Sequence, residues 1–396
     1  MRALHVHRIG GIGGSERHLL TLLPALRERG IDARVLGLDD PTLAPGPFYE
    51  ALAAGGVPYE RLPCPRDLDA SLARRVVRSV RAARPDLVHT HLVHGDLYGA
   101  LGAVAARATL VSTKHNDDPF RAGPFRFAER ALTARAARVI TITDSLRRFN
   151  LEQVGLPAAK LVTVHYGLDV PPAAWSGAGA AAGAPSLDAL SPGARLLVAV
   201  ARLDRQKGLD VAVRALAQVR QHHPSTVLCV LGEGPARGEL EELARELGVA
   251  EALLLPGRVG DVAAVLRTAE IVVHPARWEG FGLALLEAML CARPVVASRV
   301  SSIPEIVADA ETGLLVAPDD APALAAAVTR LLDDPALAAR LGEAGLVRAH
   351  AEFSVARMAE RTLAVYDAAL NAAAAPNASV SLMEGCTQDA SVSRAP

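Results

Sequence analysis

Short apolar runs alternate with helix-spaced segments along two long stretches of this 396-residue chain, and the alternation restricts its fold more than any single motif. In the first stretch ALHVH at 3–7, ARVLGL at 33–38, YERL at 59–62, an Arg-rich helical pattern around 71–83, LVHT at 87–90 and VITIT at 139–143 follow one another. In the second, LLVAVA at 196–201, TVLCVLG at 226–232, LLLPGRV at 253–259, EIVVH at 270–274, PVVAS at 294–298 and GLLVAP at 313–318 do the same. Strands joined through helices pair in parallel, and a parallel sheet buries both faces beneath those helices. Ligands of such sheets bind beyond the carboxyl ends of the strands.

The two stretches are separated by PPAAWSGAGAAAGAPSLDALSP at 171–192, an Ala, Gly, Pro and Ser-rich segment that reads as a linker. The chain is also too long for one ordinary domain and suits two of about 150 to 200 residues. The expected class is α/β, with two Rossmann-like, doubly wound parallel-sheet domains facing a cleft. The first spans 1–170, the linker 171–193 and the second 194–353, followed by a helix at 354–373. Residues 374–396 lack periodic apolar positions and are expected to be disordered.

Pro275 to Leu290, PARWEGFGLALLEAML, carries the chemistry. It follows the strand-like EIVVH and enters a helix marked by Leu283, Leu286 and Leu290. Gly280 and Gly282 flank Phe281 where that helix begins, so backbone N–H groups can approach an anion with the positive end of the helix dipole behind them. Glu279 lies before the helix and Glu287 about one turn inside it, and carboxylates suit hydroxyl groups better than phosphate. Alone, Glu287 also fits a solvated helix face.

Two further loops stand at strand ends. GGIGGSE at 10–16 follows the first strand, with Ser15 as the expected helix N-cap. Its spacing departs from the dinucleotide-binding pattern, and a simple tight turn is the other reading. RLDRQKG at 202–208 brings Arg202 and Lys207 to the end of a strand in the second stretch. His91 and His115 close PDLVHTH and STKH at two strand ends of the first stretch. The trio His89, His91 and His94 fits a strand running into a helix better than a chelate, so no metal is expected. Asp67 and Asp69 read as a turn and helix cap.

The four cysteines are far apart and form no zinc or small-scaffold pattern, which suits a reducing cytoplasm. No apolar run reaches the length of a membrane span, and no leader pattern opens the chain. Residues 1–170 carry 23 Lys and Arg against 17 Asp and Glu, leaving 19 against 26 in the remainder. This asymmetry predicts a basic face on the first half that meets something anionic. Arg74, Arg75, Arg78, Arg81 and Arg84 form one basic stretch, and Arg121 to Arg148 a second, where Phe120, Phe125 and Phe127 stand among Arg121, Arg126, Arg130, Arg135 and Arg138. A solvated helix with buried aromatics and a membrane-interfacial surface both fit.

The phrase EGFGLALLEAM resembles the Glu-x7-Glu signature of family 4 retaining glycosyltransferases, which use nucleotide sugars and have the two-domain GT-B fold. RLDRQKG resembles that family's diphosphate-binding Arg and Lys loop, and GEGP at 232–235 a turn shared at its cleft; PDLVHTHL and STKHN resemble segments in which a histidine contacts the donor sugar. The resemblance runs along nearly all of residues 1–370, with Ala292 where relatives usually have Gly, read as a packing change, and Ser301-Ser302 in place of a common Gly-Gly.

The resemblance implies a hexosyltransferase that moves a sugar from a nucleoside diphosphate such as UDP or GDP to an acceptor hydroxyl with retention, without metal or cofactor. It implies donor binding by Gly13, Gly14, Arg202, Lys207, Gly232, Val259, Glu279, Gly280, Phe281, Gly282, Leu283 and Glu287, with Val259 near the base through its backbone. Catalytic roles fall to Glu279, Arg202, Lys207 and either His91 or His115. The final helix is expected to cross back onto the first domain. The expected acceptor is a sugar or glycolipid, lipid-linked or part of cell-envelope synthesis, reached from the cytoplasm or the inner membrane face; no nucleic-acid partner is expected. A sugar-nucleotide epimerase of the same fold, or a non-catalytic nucleotide-sugar-binding protein, are the alternatives.

Overall fold

The computed structural model describes residues 1–40, 42–43, 45–117, 119–169 and 193–384, and the side chains of all these except 119 and 374–384. The linker expected at 171–193 and the last residues of the tail, 385–396, therefore lie outside the described residues, apart from Gly193.

The first sheet contains β1 (Arg2–Ile9), β2 (Asp32–Asp39), β3 (Tyr59–Pro63), β4 (Leu87–His91), β5 (Thr109–Lys114), β6 (Arg138–Thr141) and β7 (Leu161–Thr163), in the order β3-β2-β1-β4-β5-β6-β7. The second contains β8 (Arg195–Val200), β9 (Thr226–Leu231), β10 (Leu253–Gly257), β11 (Ile271–His274), β12 (Val295–Ser298) and β13 (Leu314–Val316), in the order β10-β9-β8-β11-β12-β13. All pairings between these strands are parallel. In each sheet the winding reverses beside the first strand, between β1 and β4 and between β8 and β11. Those two switch points are where a doubly wound sheet opens a crevice for ligands.

Burial follows the strand period. On β4, Val88 and Thr90 face one side and His89 and His91 the other, all fully buried. Helices cover both faces, and the resulting apolar clusters extend between the halves: Ile142, Leu146, Tyr166 and Leu168 pack with Phe281 and Phe353. The helix Val355–Glu384 returns to the first sheet, where Met358, Ala359, Val365 and Tyr366 join the core beneath β1 and β5.

Four expectations change. The helix Gly14–Glu28 is capped at Gly13, not at Ser15, because the Glu16 carboxylate accepts the Gly13 N–H at 3.0 Å while the Ser15 hydroxyl turns to His7 and Glu16. The last helix continues to Glu384 where disorder was expected from 374; missing apolar periodicity reports missing packing, whereas Ala372 to Ala375 are the best helix formers. Ala292 has φ +54°, so the residue standing for Gly occupies a left-handed position just past the helix Leu283–Leu290 and is a backbone matter, not a packing one. Arg121 is buried and bonded to Glu129 at 2.7 Å, and Glu129 and Asp96 each also meet buried Lys114 at 2.5 Å. It is thus no part of a basic surface.

Candidate active site

The loops that end β8 and β11 are built against each other. Gly208, at φ +60°, lies so close to the Pro275 carbonyl that a Cβ would stand 2.0 Å from its oxygen, a place open only to glycine. Gln206 donates to the Trp278 carbonyl at 3.0 Å, and the Arg277 N–H donates to the Gln206 carbonyl at 2.8 Å. The Arg277 guanidinium then grips Asp210 and Asp319. Gly282 takes φ +97° and starts the helix Leu283–Leu290. Ser302, fully buried, donates its hydroxyl toward the carbonyls of both Glu279 (2.9 Å) and Phe281 (3.1 Å). The serine that stands for a family glycine is thus a strut of the EGFG loop.

This scaffold buries Glu279 and gives one of its oxygens two donors, Lys207 Nζ at 2.7 Å and His274 Nε2 at 2.9 Å. Burial alone would raise its pKa, but the His274 hydrogen bond and the Lys207 charge outweigh it and bring the carboxyl down to about 2. Glu287 lies on the helix Leu283–Leu290 that follows this loop. Burial raises its pKa, and the Arg17 guanidinium, 2.5 Å away on the first domain, only partly opposes the rise. The two carboxylates therefore differ: Glu279 is a firmly held anion, and Glu287 a buried group facing the other domain.

That other domain presents a file of histidines at its own switch point. The register pairs His5 with His89 and His7 with His91, so two His-x-His strands place all four rings on one face. Hydrogen bonds then run from Tyr166 to His115 Nδ1, His115 Nε2 to His91 Nδ1 (3.0 Å), His91 Nε2 to His5 Nδ1 (3.0 Å) and His5 Nε2 to Tyr366 (3.2 Å). Tyr366 continues to His89 Nδ1 (2.7 Å), whose Nε2 meets Thr113 (2.6 Å). A neutral imidazole has one donor and one acceptor, so each link sets the tautomer of the next. Burial lowers the pKa of all these rings, and two directly linked imidazoliums would aim N–H against N–H, so the file resists the protonation of neighbouring rings together.

The expected site residues divide accordingly. Lys207, Glu279, Gly280, Phe281, Gly282, Leu283 and Glu287 lie in one apparatus, and the first domain reaches it through Gly14, whose position a Cβ would share with Leu283 at 4.0 Å, and through the His115 carbonyl beside Gly280. Gly13 caps the adjoining helix, and Gly232 packs on the Ala201 carbonyl next to the Arg202 loop. Arg202 itself is turned outward to Asp204 at 3.1 Å, and the Val259 side chain is buried in the second-domain core. His91 and His115 each have both ring nitrogens engaged, so neither offers a free one to a sugar. His94 points away to Asp67 and Arg8, while the ring nitrogens of His5, His89 and His91 lie within 4.8 Å of one another, so the only chelate-like grouping of these histidines includes His5 instead.

Sequence reasoning missed Arg17, His18, Tyr166 and His274, and read Ser302 only as a departure from a common Gly-Gly. The paired His-x-His strands were a visible signal for the file; nothing local marked Arg17 as the partner of a residue 270 positions away.

Residues 12–170 match the family described as Glycosyltransferase Family 4, and residues 189–348 the family described as Glycosyl transferases group 1. A glycogen synthase of Mycobacterium tuberculosis is 30% identical, covering 96% of each chain. An alpha-maltose-1-phosphate synthase of the same organism is 33% identical over 89% of this chain and 95% of its own. Among solved structures, Anabaena Alr3699/HepE in complex with UDP-glucose superposes with TM-score 0.79 at 22% identity, covering 93% of this chain and 99% of that one, which shows a shared GT-B fold.

Proposed function

The chain belongs to the group 1 glycosyltransferases, family 4, enzymes that use nucleotide-sugar donors, and we propose that it transfers the sugar to an acceptor hydroxyl with retention and without a metal ion. The observation that carries this reading is Glu279 held by Lys207 and His274 at the start of a helix whose first amides are opened by Gly280 and Gly282.

As the anomeric bond breaks, the leaving diphosphate gains charge. Lys207, Arg202 turning inward and the amides of 280–282 stabilise it, and the sugar passes through an oxocarbenium-like state. A carboxylate held this far below its ordinary pKa is a weak nucleophile, so Glu279 suits the accepting of donor-sugar hydroxyls and the stabilising of positive charge better than a covalent intermediate. The departing phosphate takes the acceptor proton. Glu287 holds ribose hydroxyls, and the Val259 backbone lies toward the base. Between the two histidines, His115 is the one whose backbone adjoins Gly280, while His91 positions it from behind.

The acceptor proposed is lipid-linked or membrane-proximal. Phe120 and Phe127 are 52% and 60% exposed on the first domain, with Arg126 and Arg130 exposed beside them and Arg74, Arg78 and Arg81 exposed on the helix Ala70–Ala83. Such a surface suits reversible docking to anionic lipid. Among the described residues no helix is long and apolar enough to cross a membrane.

The test is to screen nucleotide sugars for thermal protection, then to follow the product's anomeric proton by NMR in excess EDTA. Retained configuration and full turnover are expected. An inverted product, or loss of turnover restored by Mg²⁺ or Mn²⁺, overturns the mechanism.

A further inference from the structure

We propose that His18 is a further donor-binding residue, contributed by the first domain, whose ring nitrogen hydrogen-bonds one hydroxyl of the donor's ribose while Glu287 holds the neighbouring hydroxyl. This rests on the reading of Glu287 as the ribose-binding carboxylate.

His18 lies on the helix Gly14–Glu28, one residue beyond Arg17, and is 6% exposed. Its Nδ1 is buried without a hydrogen-bond partner. Buried polar atoms are nearly always paired, so this nitrogen is either a defect or an open valence for a ligand. Its surroundings favour the ligand. His18 lines a cavity of about 10 Å³ together with Arg17, Thr21, Tyr166, Leu283 and Glu287, room for one water-sized group. A hydroxyl is such a group.

The chemistry selects the occupant further. Burial, with the charge of nearby His7, lowers the His18 pKa to about 3, so the ring is neutral and offers either a lone pair or an N–H. A neutral imidazole is a poor partner for phosphate and a good one for a hydroxyl, which both donates and accepts. Glu287 accepts only, and Arg17 already engages one of its oxygens. A vicinal diol fits this pair of groups, one hydroxyl donating to the carboxylate and the other meeting the imidazole, and ribose carries such a diol.

The ring is also held for the task. His18 stacks on Tyr166 with centroids 4.5 Å apart and planes at 21°, and the Tyr166 hydroxyl is tied to His115. The histidine file thereby fixes the plane on which His18 rests. The cavity as it stands admits one hydroxyl and no sugar ring, so a diol reaches His18 and Glu287, which belong to different domains, only when the two helices part, and its two hydrogen bonds then link the halves.

Calorimetric titration with UDP and GDP, and with the 2′-deoxy and 3′-deoxy analogue of whichever binds, tests the assignment in wild type, His18→Phe and Glu287→Gln. His18→Phe keeps the stacking plane and removes the ring nitrogen. It is expected to weaken the ribonucleotide on the order of three- to tenfold, the loss of one hydrogen bond, and to lose this effect with one of the two deoxy analogues. His18→Asn, smaller and still able to donate and accept, is expected to bind between the two and carries the test if His18→Phe does not fold. Wild-type affinity in His18→Phe, or equal weakening toward all three nucleotides, overturns the proposal while Glu287→Gln still binds poorly. Unchanged binding in Glu287→Gln instead overturns the ribose reading beneath it, and no binding of either diphosphate by the wild type overturns both.

Discussion

Arg17 and Glu287 form an ion pair across the cleft, 2.5 Å from nitrogen to oxygen, with the carboxylate almost wholly buried and the guanidinium about one-third exposed. One helix start of the first domain is thereby fastened to the helix Leu283–Leu290 of the second. On the proposed reading of Glu287 as the ribose-binding carboxylate, Arg17 occupies one of its oxygens here and would have to share or release it when a donor binds.

Arg17→Ala is expected to loosen that fastening. The partial exposure of the guanidinium limits the loss to about 1 to 2 kcal/mol, below the cost of breaking a fully buried pair. Thermal melting measures the loss, and small-angle scattering should show a larger radius of gyration. A double-mutant cycle with Glu287→Gln should give a coupling energy on the order of 1 kcal/mol; additivity of the two changes would dissolve the pair as an energetic unit.

Lys207→Ala and Glu287→Ala should each reduce kcat/KM for the donor by about 1.5 to 3 kcal/mol of transition-state stabilisation while leaving the fold intact. For Lys207 the drop should include kcat, because in the proposed mechanism the residue that bonds Glu279 also meets the charge that develops on the leaving group. Wild-type steady-state kinetics in either variant would dismiss its assigned role.

Acid should unfold this protein early. Burial lowers the folded-state pKa of His5, His7, His18, His89, His91 and His115 below the ordinary 6.5. Below pH 6.5 the unfolded chain then binds protons that the native state does not, so stability falls as pH falls. A ring whose folded-state pKa lies well below 6.5 contributes up to about 1.4 kcal/mol per pH unit below 6.5, and the contributions of several rings act in the same direction. Glu279 adds nothing to this window, since its lowered pKa makes its contribution fade only between 4.5 and about 2. Denaturant melts at pH 7.5, 6.5 and 5.5 should show this steep loss; a flat profile would mean the file tolerates charge.

Ala292→Gly should stabilise the second domain by about 1 kcal/mol, because φ +54° strains an alanine and is free for glycine. Calorimetric melting should register the gain. Ser302→Ala should have the opposite effect on the loop at 279–282, releasing the Glu279 and Phe281 carbonyls.

Vesicle co-sedimentation with anionic lipid at low and high salt should separate wild type from Arg126→Glu/Arg130→Glu/Arg135→Glu, whose three arginines are exposed. Equal binding, or none at low salt, would assign these arginines to an ordinary solvated face and point to a small soluble acceptor. Arg121→Glu is a different experiment: it sets a second carboxylate against buried Glu129 and should cost the fold itself.

Much of the architecture was legible because its signals are local. The apolar period of a strand, the glycines at a helix start and the Glu-x7-Glu spacing each lie within about twenty residues. Parallel order and the two switch points follow from that alternation with little freedom. Asp69 reads as a helix cap from its neighbours alone, and caps the helix Ala70–Ala83 through the Ser71 and Leu72 amides. The register of His5 against His89, the return of Tyr366 to that pair, the pairing of Arg17 with Glu287 and the burial of Arg121 were decided only by tertiary structure. Each joins residues from separate elements, and burial turns the same side chain from a solvated charge into an obligatory partner. Periodicity states which face of an element is apolar; which polar group meets it there depends on the packing of elements that are distant along the chain.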